Sequence, residues 1–204
     1  MTSNEDSLGG RLPLLGKSEL DGPQSKLYDA MDKDLVPWAK KSGFQAAAED
    51  GRLLGPFNSL LYSPMLSQGF LEYLSAERKH TSLDARVREV IILSVGAVWR
   101  SAYELYAHTA VAEKAGLAPG VIKALAAGQS PDGLSDEQAV AHAFSHALAS
   151  ERKVDPDLYA RAEQAFGRKG VVDMIHLVSL YMATSALLNA FAVPTPDGTF
   201  NPPA

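Results

Sequence analysis

The sequence predicts an all-α fold, and three observations carry that prediction. Apolar residues recur at three- and four-residue spacing along most of the chain, and no segment alternates as a half-buried strand does. Residues that favour helix starts, Pro23, Ser135 and Asp155, stand before such stretches. Residues that stop helices, Gly116, Gly167 and the prolines 194 and 196, stand after them. The count is eight or so helices and no sheet. With 204 residues, 46% of them apolar, the chain is long enough for one domain with a full core.

The elements follow in order. Residues 1–10 read as a disordered tail, residues 11–197 as one domain and residues 198–204 as a C-terminal tail. "RLPLLGKSELDGPQ" is an extended arm leading to a helix that starts near Pro23, with Pro37 expected to kink or divide it. "EDGRLLGPFNSLLYSP" is punctuated by glycine and proline, so it reads as a loop with a short helical turn. A helix from residue 64 to about 78 carries Leu66, Phe70 and Tyr73 on one face. "TSLDARVREVIILSVGAV" opens with a cap-like Thr81 or Ser82 and is then apolar almost all round, as a helix at the centre of a domain is. "SAYELYAHTAVAEKAGL" is the next helical segment and stops at Gly116. A short helix lies between Pro119 and Gly128, another runs from Ser135 to about Arg152, and a third from Asp155 to Gly167. "KGVVDMIHLVSLYMATSALLNAFAV" is the last, long and apolar.

Charge and composition exclude several function classes. The formal charge is −5, with no basic patch, so nucleic acid is not an expected partner. There is no cysteine, hence no disulfide, thiolate metal site or thiol catalysis. The opening "MTSNEDSLGG" is unlike a signal peptide, and no uninterrupted apolar run reaches about 18 residues. A cytoplasmic protein with no membrane partner is expected.

The segment "WRSAYELYAH" follows a nearly continuous apolar run, yet holds Glu104 and His108 four residues apart. Four apart on a helix is one face, so the two can touch or point together at a third group. A buried lone carboxylate is costly and is normally paired or shifted in pKa, and a His–carboxylate couple moves protons near neutral pH. A second acid, Glu89, lies upstream in "RVREVIILSV". The alternative is structural: a surface ion pair, plus a helix-start carboxylate answering Arg86 or Arg88.

"DARVREVIILSVGAVWRSAYELYAHTAVAEKAGL" resembles the core of the carboxymuconolactone decarboxylase family, which includes the alkyl hydroperoxidase AhpD. AhpD-type members carry a glutamate followed by Cys-x-x-Cys-x-x-x-His. The glutamate matches Glu89, the histidine matches His108, and the cysteine positions fall on Ser101 and Glu104. "RLPLL", "GPFNSLLYSP", "AEKAGL" and "FGRKGVVDMIHLVSLYMATSALLNAFAVPTP" extend the resemblance over residues 11–197, as a cysteine-free branch. It implies an AhpD-like helical bundle that assembles as a homotrimer or homohexamer, with the site beside the histidine helix and near subunit contacts. The thiol peroxidase mechanism is unavailable without cysteine. Decarboxylase and lactone-processing members use neither thiol nor metal, and resemble this chain in having a glutamate at position 104 and a histidine at 108. They often carry a further acid where this chain has Ala102, which departs from the carboxymuconolactone pattern.

The resemblance therefore implies a cofactor-free, metal-free acid–base enzyme acting on a small organic acid or lactone. His108 is expected as the main proton-transfer group, Glu104 as its tuner or partner in exchange, Glu89 as the end of the relay, and Ser101 as a hydrogen-bonding group where relatives have a thiol. Tyr103, Arg86 and His176 are candidates for substrate binding. Each has a packing or pairing alternative: Arg86 and Arg88 can pair with Asp84 or Glu89, and His176 can be a satisfied core or interface residue. Tyr181 and Asn189 are weaker candidates on the same helix as His176. Tyr106 and Trp99 read as packing residues, His80 as a turn residue, and His142 and His146 as a solvated face lacking the glutamate of the zinc motif H-E-x-x-H. Two other classes stay open: a non-catalytic oligomeric binding protein, and a metal enzyme using His108, Glu104 and His176.

Overall fold

The computed structural model describes residues 8–196 and 198. Among them are eight α-helices and no strand; one isolated β-bridge joins Ala47 to Leu53. The helices are α1 (Gly22–Ser42), α2 (Pro56–Leu61), α3 (Pro64–His80), α4 (Ala85–Trp99), α5 (Ala102–Ala115), α6 (Pro119–Ala126), α7 (Asp136–Glu151) and α8 (Pro156–Ala190). The all-α class read from the sequence is borne out among the described residues.

α4 is the hub. Val87 and every residue from Glu89 to Gly96 are buried. One core cluster joins Val87, Ile91 and Val95 of α4 to α7 and α8, through Phe144, Met174 and Leu177. Another joins Val90 and Leu93 to α5 and α6, through Leu105, Ile122 and Leu125. The third lies under α1 and α2, where Met31, Leu53, Leu61 and Tyr103 meet. A helix that buries its whole circumference needs apolar residues all round, which is the pattern of the α4 sequence.

Several local expectations change. Pro37 does not divide α1, which runs unbroken from Gly22 to Ser42. Its ring is exposed, so the carbonyl that loses a helical donor can turn to solvent. α4 is capped by Asp84, whose side chain accepts from the Arg86 N–H, not by Thr81 or Ser82. Ser82 instead ties the helix start to α8, donating from N and Oγ to Asp173 at 2.8 and 2.7 Å. α8 breaks at Gly167 (φ 64°, ψ 173°), where the sequence places a helix end. Residues 8–10, placed in the tail by sequence, belong to the fold: Leu8 packs on the α1–α2 core, and the neighbouring Arg11 N–H donates to the Phe191 carbonyl at 2.7 Å. Residues 1–7, and the C-terminal tail apart from residue 198, lie outside the described residues. α8 has the length and mean hydropathy to cross a membrane, and 44% of that stretch is buried against the other helices, as in a core helix.

Candidate active site

The site forms where α5 folds back on α4. Arg100 adopts a left-handed conformation (φ 51°) that ends α4 and reverses the chain. Gly96 then permits close approach, because a Cβ there would stand 3.1 Å from Leu105 and 3.6 Å from Cγ of Glu104. This contact sets α4 and α5 side by side and brings Glu89 against His108. His108 Nδ1 lies 2.8 Å from Glu89 Oε2 in a hydrogen bond, and Nε2 lies 3.2 Å from Glu104 Oε1 in an ion-pair contact. All three side chains are buried. Glu89 therefore pairs with neither Arg86 nor Arg88, and the surface ion pair weighed from spacing is not what forms.

Burial sets the protonation of this triad. It pushes the Glu104 carboxyl up to about 7, with His108 pulling the other way and Glu89 adding to the rise. Burial opposes charge on His108, but the negative charge and hydrogen bond of Glu89, with the charge of Glu104, outweigh it and raise the ring above its ordinary value; Arg88 opposes. Glu104 and His108, in contact and both raised, thus exchange influence as a coupled pair.

The triad forms one wall of a cavity of about 340 Å³. Its other walls are apolar and aromatic: Trp38 and Phe44 from the α1 end, Phe57 from α2, Phe70 from α3 and Tyr103 from α5. Gly55 (φ 63°) makes room for Tyr103, whose ring lies where a Cβ at residue 55 would be. Three cations also line the cavity, Arg78, Arg88 and Lys114. Arg78 lies over the Trp38 ring at 4.7 Å. Arg88 pairs with the buried Glu77, whose second oxygen, Oε2, has no hydrogen-bond partner. From α8, Tyr181 packs edge-on against His108, with ring centroids 5.0 Å apart at 89°.

The structure brings His108, Glu104, Glu89 and Tyr103 together at this cavity and leaves three candidates outside it. Ser101 is fully buried before α5, its Oγ meets no partner, and it does not line the cavity. Arg86 is exposed and pairs with Asp84 at 3.4 Å, so Arg88 is the arginine at the cavity wall. His176 is exposed on the far side of α8, where its Nδ1 meets the Tyr73 hydroxyl at 2.5 Å. The Tyr103 hydroxyl donates to the Gln45 carbonyl, leaving only the ring to the cavity. Asn189 ties α8 to the Trp99 carbonyl at 2.6 Å. His142 is not solvated: it is buried, its Nδ1 meets Ser94 Oγ at 2.8 Å, and burial lowers its pKa with help from His146. His146 is exposed. Among the described residues no group of three or more His, Asp or Glu is placed to hold a metal ion. Sequence reasoning missed Arg78 and Lys114, which line the cavity from α3 and α5, and Glu77, which reaches it only through its pair with Arg88; no motif marks any of them.

Glu89 and His108, the two residues that the resemblance matched to the family's glutamate and histidine, stand on successive helices and meet in a hydrogen bond. Residues 64–147 match the carboxymuconolactone decarboxylase family. That segment runs from α3 to near the end of α7 and includes Glu89, Glu104 and His108. Solved structures agree over a longer span. A peroxidase-related protein from Ralstonia eutropha JMP134 with an alkylhydroperoxidase AhpD core aligns over 92% of this chain and 93% of its own, with TM-score 0.71 and 16% identity. A cysteine-to-alanine variant of the debrominase Bmp8, in complex with 2,3,4-tribromopyrrole, aligns over 83% and 88%, with TM-score 0.65 and 13% identity. A protein of unknown function from Agrobacterium tumefaciens, described as a candidate antioxidant defence protein AhpD, aligns over 68% and 96%, with TM-score 0.63 and 13% identity. At these identities the likeness is one of fold. A comparison with curated proteins gives no match. The resemblance read from sequence is thus borne out over residues 64–147, and the chain has an AhpD-like fold without any cysteine.

Proposed function

We propose that this chain is an acid–base enzyme that moves protons on a small organic acid or lactone without a cofactor, in a decarboxylation, a lactone opening or an isomerisation. The observation that supports this best is His108 held between Glu89 at 2.8 Å and Glu104 at 3.2 Å at the wall of a 340 Å³ cavity. Glu89 fixes the ring through Nδ1. The Nε2 contact with Glu104 is not an aligned hydrogen bond, so either group is free to turn toward a substrate. With its carboxyl near 7, Glu104 is a base and an acid in comparable amounts at neutral pH, which suits proton transfer in both directions. In this reading Glu104 meets the substrate and His108 stores and returns the proton. The aromatic walls favour a substrate with an apolar body, and Arg78, Arg88 and Lys114 favour one with negative charge. The exposed Met65 and Leu66 on α3 support assembly with further copies of the chain, as trimer or hexamer.

The test is incubation with a panel of unsaturated γ-lactones and 2-oxo acids in D2O, with carbon-bound deuterium followed by NMR. Deuterium incorporation that the wild type catalyses and that Glu104→Gln and His108→Ala lose is expected. Folded variants of both that exchange as fast as the wild type refute the assignment.

A further inference from the structure

Resting on that acid–base reading, we propose that Tyr181 is the donor that holds the substrate's developing oxyanion. Six other tyrosines are present, and five of them have their hydroxyls engaged. Tyr28 donates to the Gly51 carbonyl, Tyr62 to that of Pro13 and Tyr103 to that of Gln45. Tyr73 meets His176, and Tyr106 accepts from the Gln45 N–H. Tyr159 is exposed. Tyr181 is the buried tyrosine whose hydroxyl finds no protein partner among the described residues, and it lines the cavity that holds Glu104 and His108. The Tyr181 side chain is otherwise buried and its hydroxyl is not sealed into the core, so the hydroxyl is placed to meet a ligand atom in the cavity.

The chemistry fits the position. When Glu104 takes a proton from carbon next to a carbonyl, the C–H electron pair moves into the carbonyl and leaves an enolate. The negative charge is then on oxygen. Tyr181 donates a hydrogen bond to that oxygen and keeps its own proton. Returning the Glu104 or His108 proton to a different carbon completes an isomerisation with nothing else consumed. A donor works in this role only while it stays protonated. Burial, then the charges of Glu104 and Glu89, hold the Tyr181 phenol well above its ordinary range, with Arg88 opposing. A fixed donor in a water-poor site stabilises charge that appears only during reaction. The edge-on contact with His108 keeps the ring in place, so Tyr181→Phe removes the O–H and little else.

A phenolate imitates an enolate oxygen without reacting, so the probe is 4-nitrophenol, whose ionised form is read by its visible absorbance. The wild type is expected to bind it as the phenolate. Tyr181→Phe should bind it at least tenfold more weakly, with the bound form shifted toward neutral phenol. Equal affinity and equal ionisation in the two proteins, or binding to the wild type only as the neutral phenol or not at all, overturn the proposal. If the variant does not fold, a wild type that binds the probe only as neutral phenol, or not at all, still overturns the proposal. Glu104→Gln separates this from the acid–base reading: it should lose deuterium exchange and still bind the phenolate through Tyr181.

Discussion

Two histidine–tyrosine pairs lie on opposite sides of α8, and they differ in nearly everything but composition. His108 and Tyr181 are buried, with both ring nitrogens of the histidine facing carboxylates and the tyrosine hydroxyl open to the cavity. His176 and Tyr73 are exposed, and there the hydroxyl is bonded to the ring nitrogen at 2.5 Å. The two ring contacts are similar, 5.0 Å at 89° and 5.7 Å at 84°. Pair geometry therefore does not make a reactive site. What distinguishes the inner pair is burial together with two acids, the setting in which we propose a mobile proton that solvent does not level. The outer pair closes its own hydrogen bond in water and has no such proton.

Breaking the inner pair should have the largest effect. His108→Ala is expected to lower proton-exchange turnover by about 10²- to 10⁴-fold, the usual contribution of a positioned acid–base group. Initial rates on a responsive substrate check this, with circular dichroism confirming the fold. Arg88→Ala comes next. It leaves Glu77, whose side chain is only 3% exposed, as an uncompensated charge. Such a loss typically costs about 3–5 kcal/mol, to be read by urea unfolding of wild type and variant.

The pH dependence of stability sharpens the comparison further. Glu104 is raised from 4.5 to about 7 in the folded chain, so between those values the native state holds a proton that the unfolded state has released. Its stabilising contribution is full below about pH 4.5 and lost as pH rises to about 7. His108, raised above 6.5, adds a loss of the same sign at higher pH. Chemical unfolding across pH 4.5–8 should show Glu104→Gln as the flatter curve; an unchanged slope would place the titration elsewhere. Smallest is the outer pair. His176→Ala should change stability by no more than about 0.5 kcal/mol and leave proton exchange untouched, as for other exposed positions.

Much of this was legible in the sequence where helical periodicity alone decides. Glu104 and His108 are four apart, so their shared face follows once α5 is a helix. The central place of α4 follows from its apolar circumference. Phase also carried signals that spacing arguments left unused. Arg86 and Arg88 are two residues apart, about 200° on a helix, so only one can face inward; Val87 and Glu89 to Gly96 being buried puts the first arginine in solvent. His176 and Tyr181 are five apart, about 140°, and Tyr181 shares its face with Leu177, Ser185 and Leu188, all buried. Other features had no local signal. The Glu89–His108 bond depends on the α4–α5 turn at Arg100, and the Glu77–Arg88 pair on how α3 meets α4. Ser101 was placed by alignment with a thiol position; its backbone closes the turn and its hydroxyl faces the core.

The most direct test of the account is a ring-nitrogen NMR titration of His108 in the folded chain. The account predicts a midpoint above the ordinary histidine value, coupled to a second proton near pH 7 that disappears in Glu104→Gln. A His108 ring that titrates at or below the ordinary value, with no response to Glu104→Gln, would contradict it.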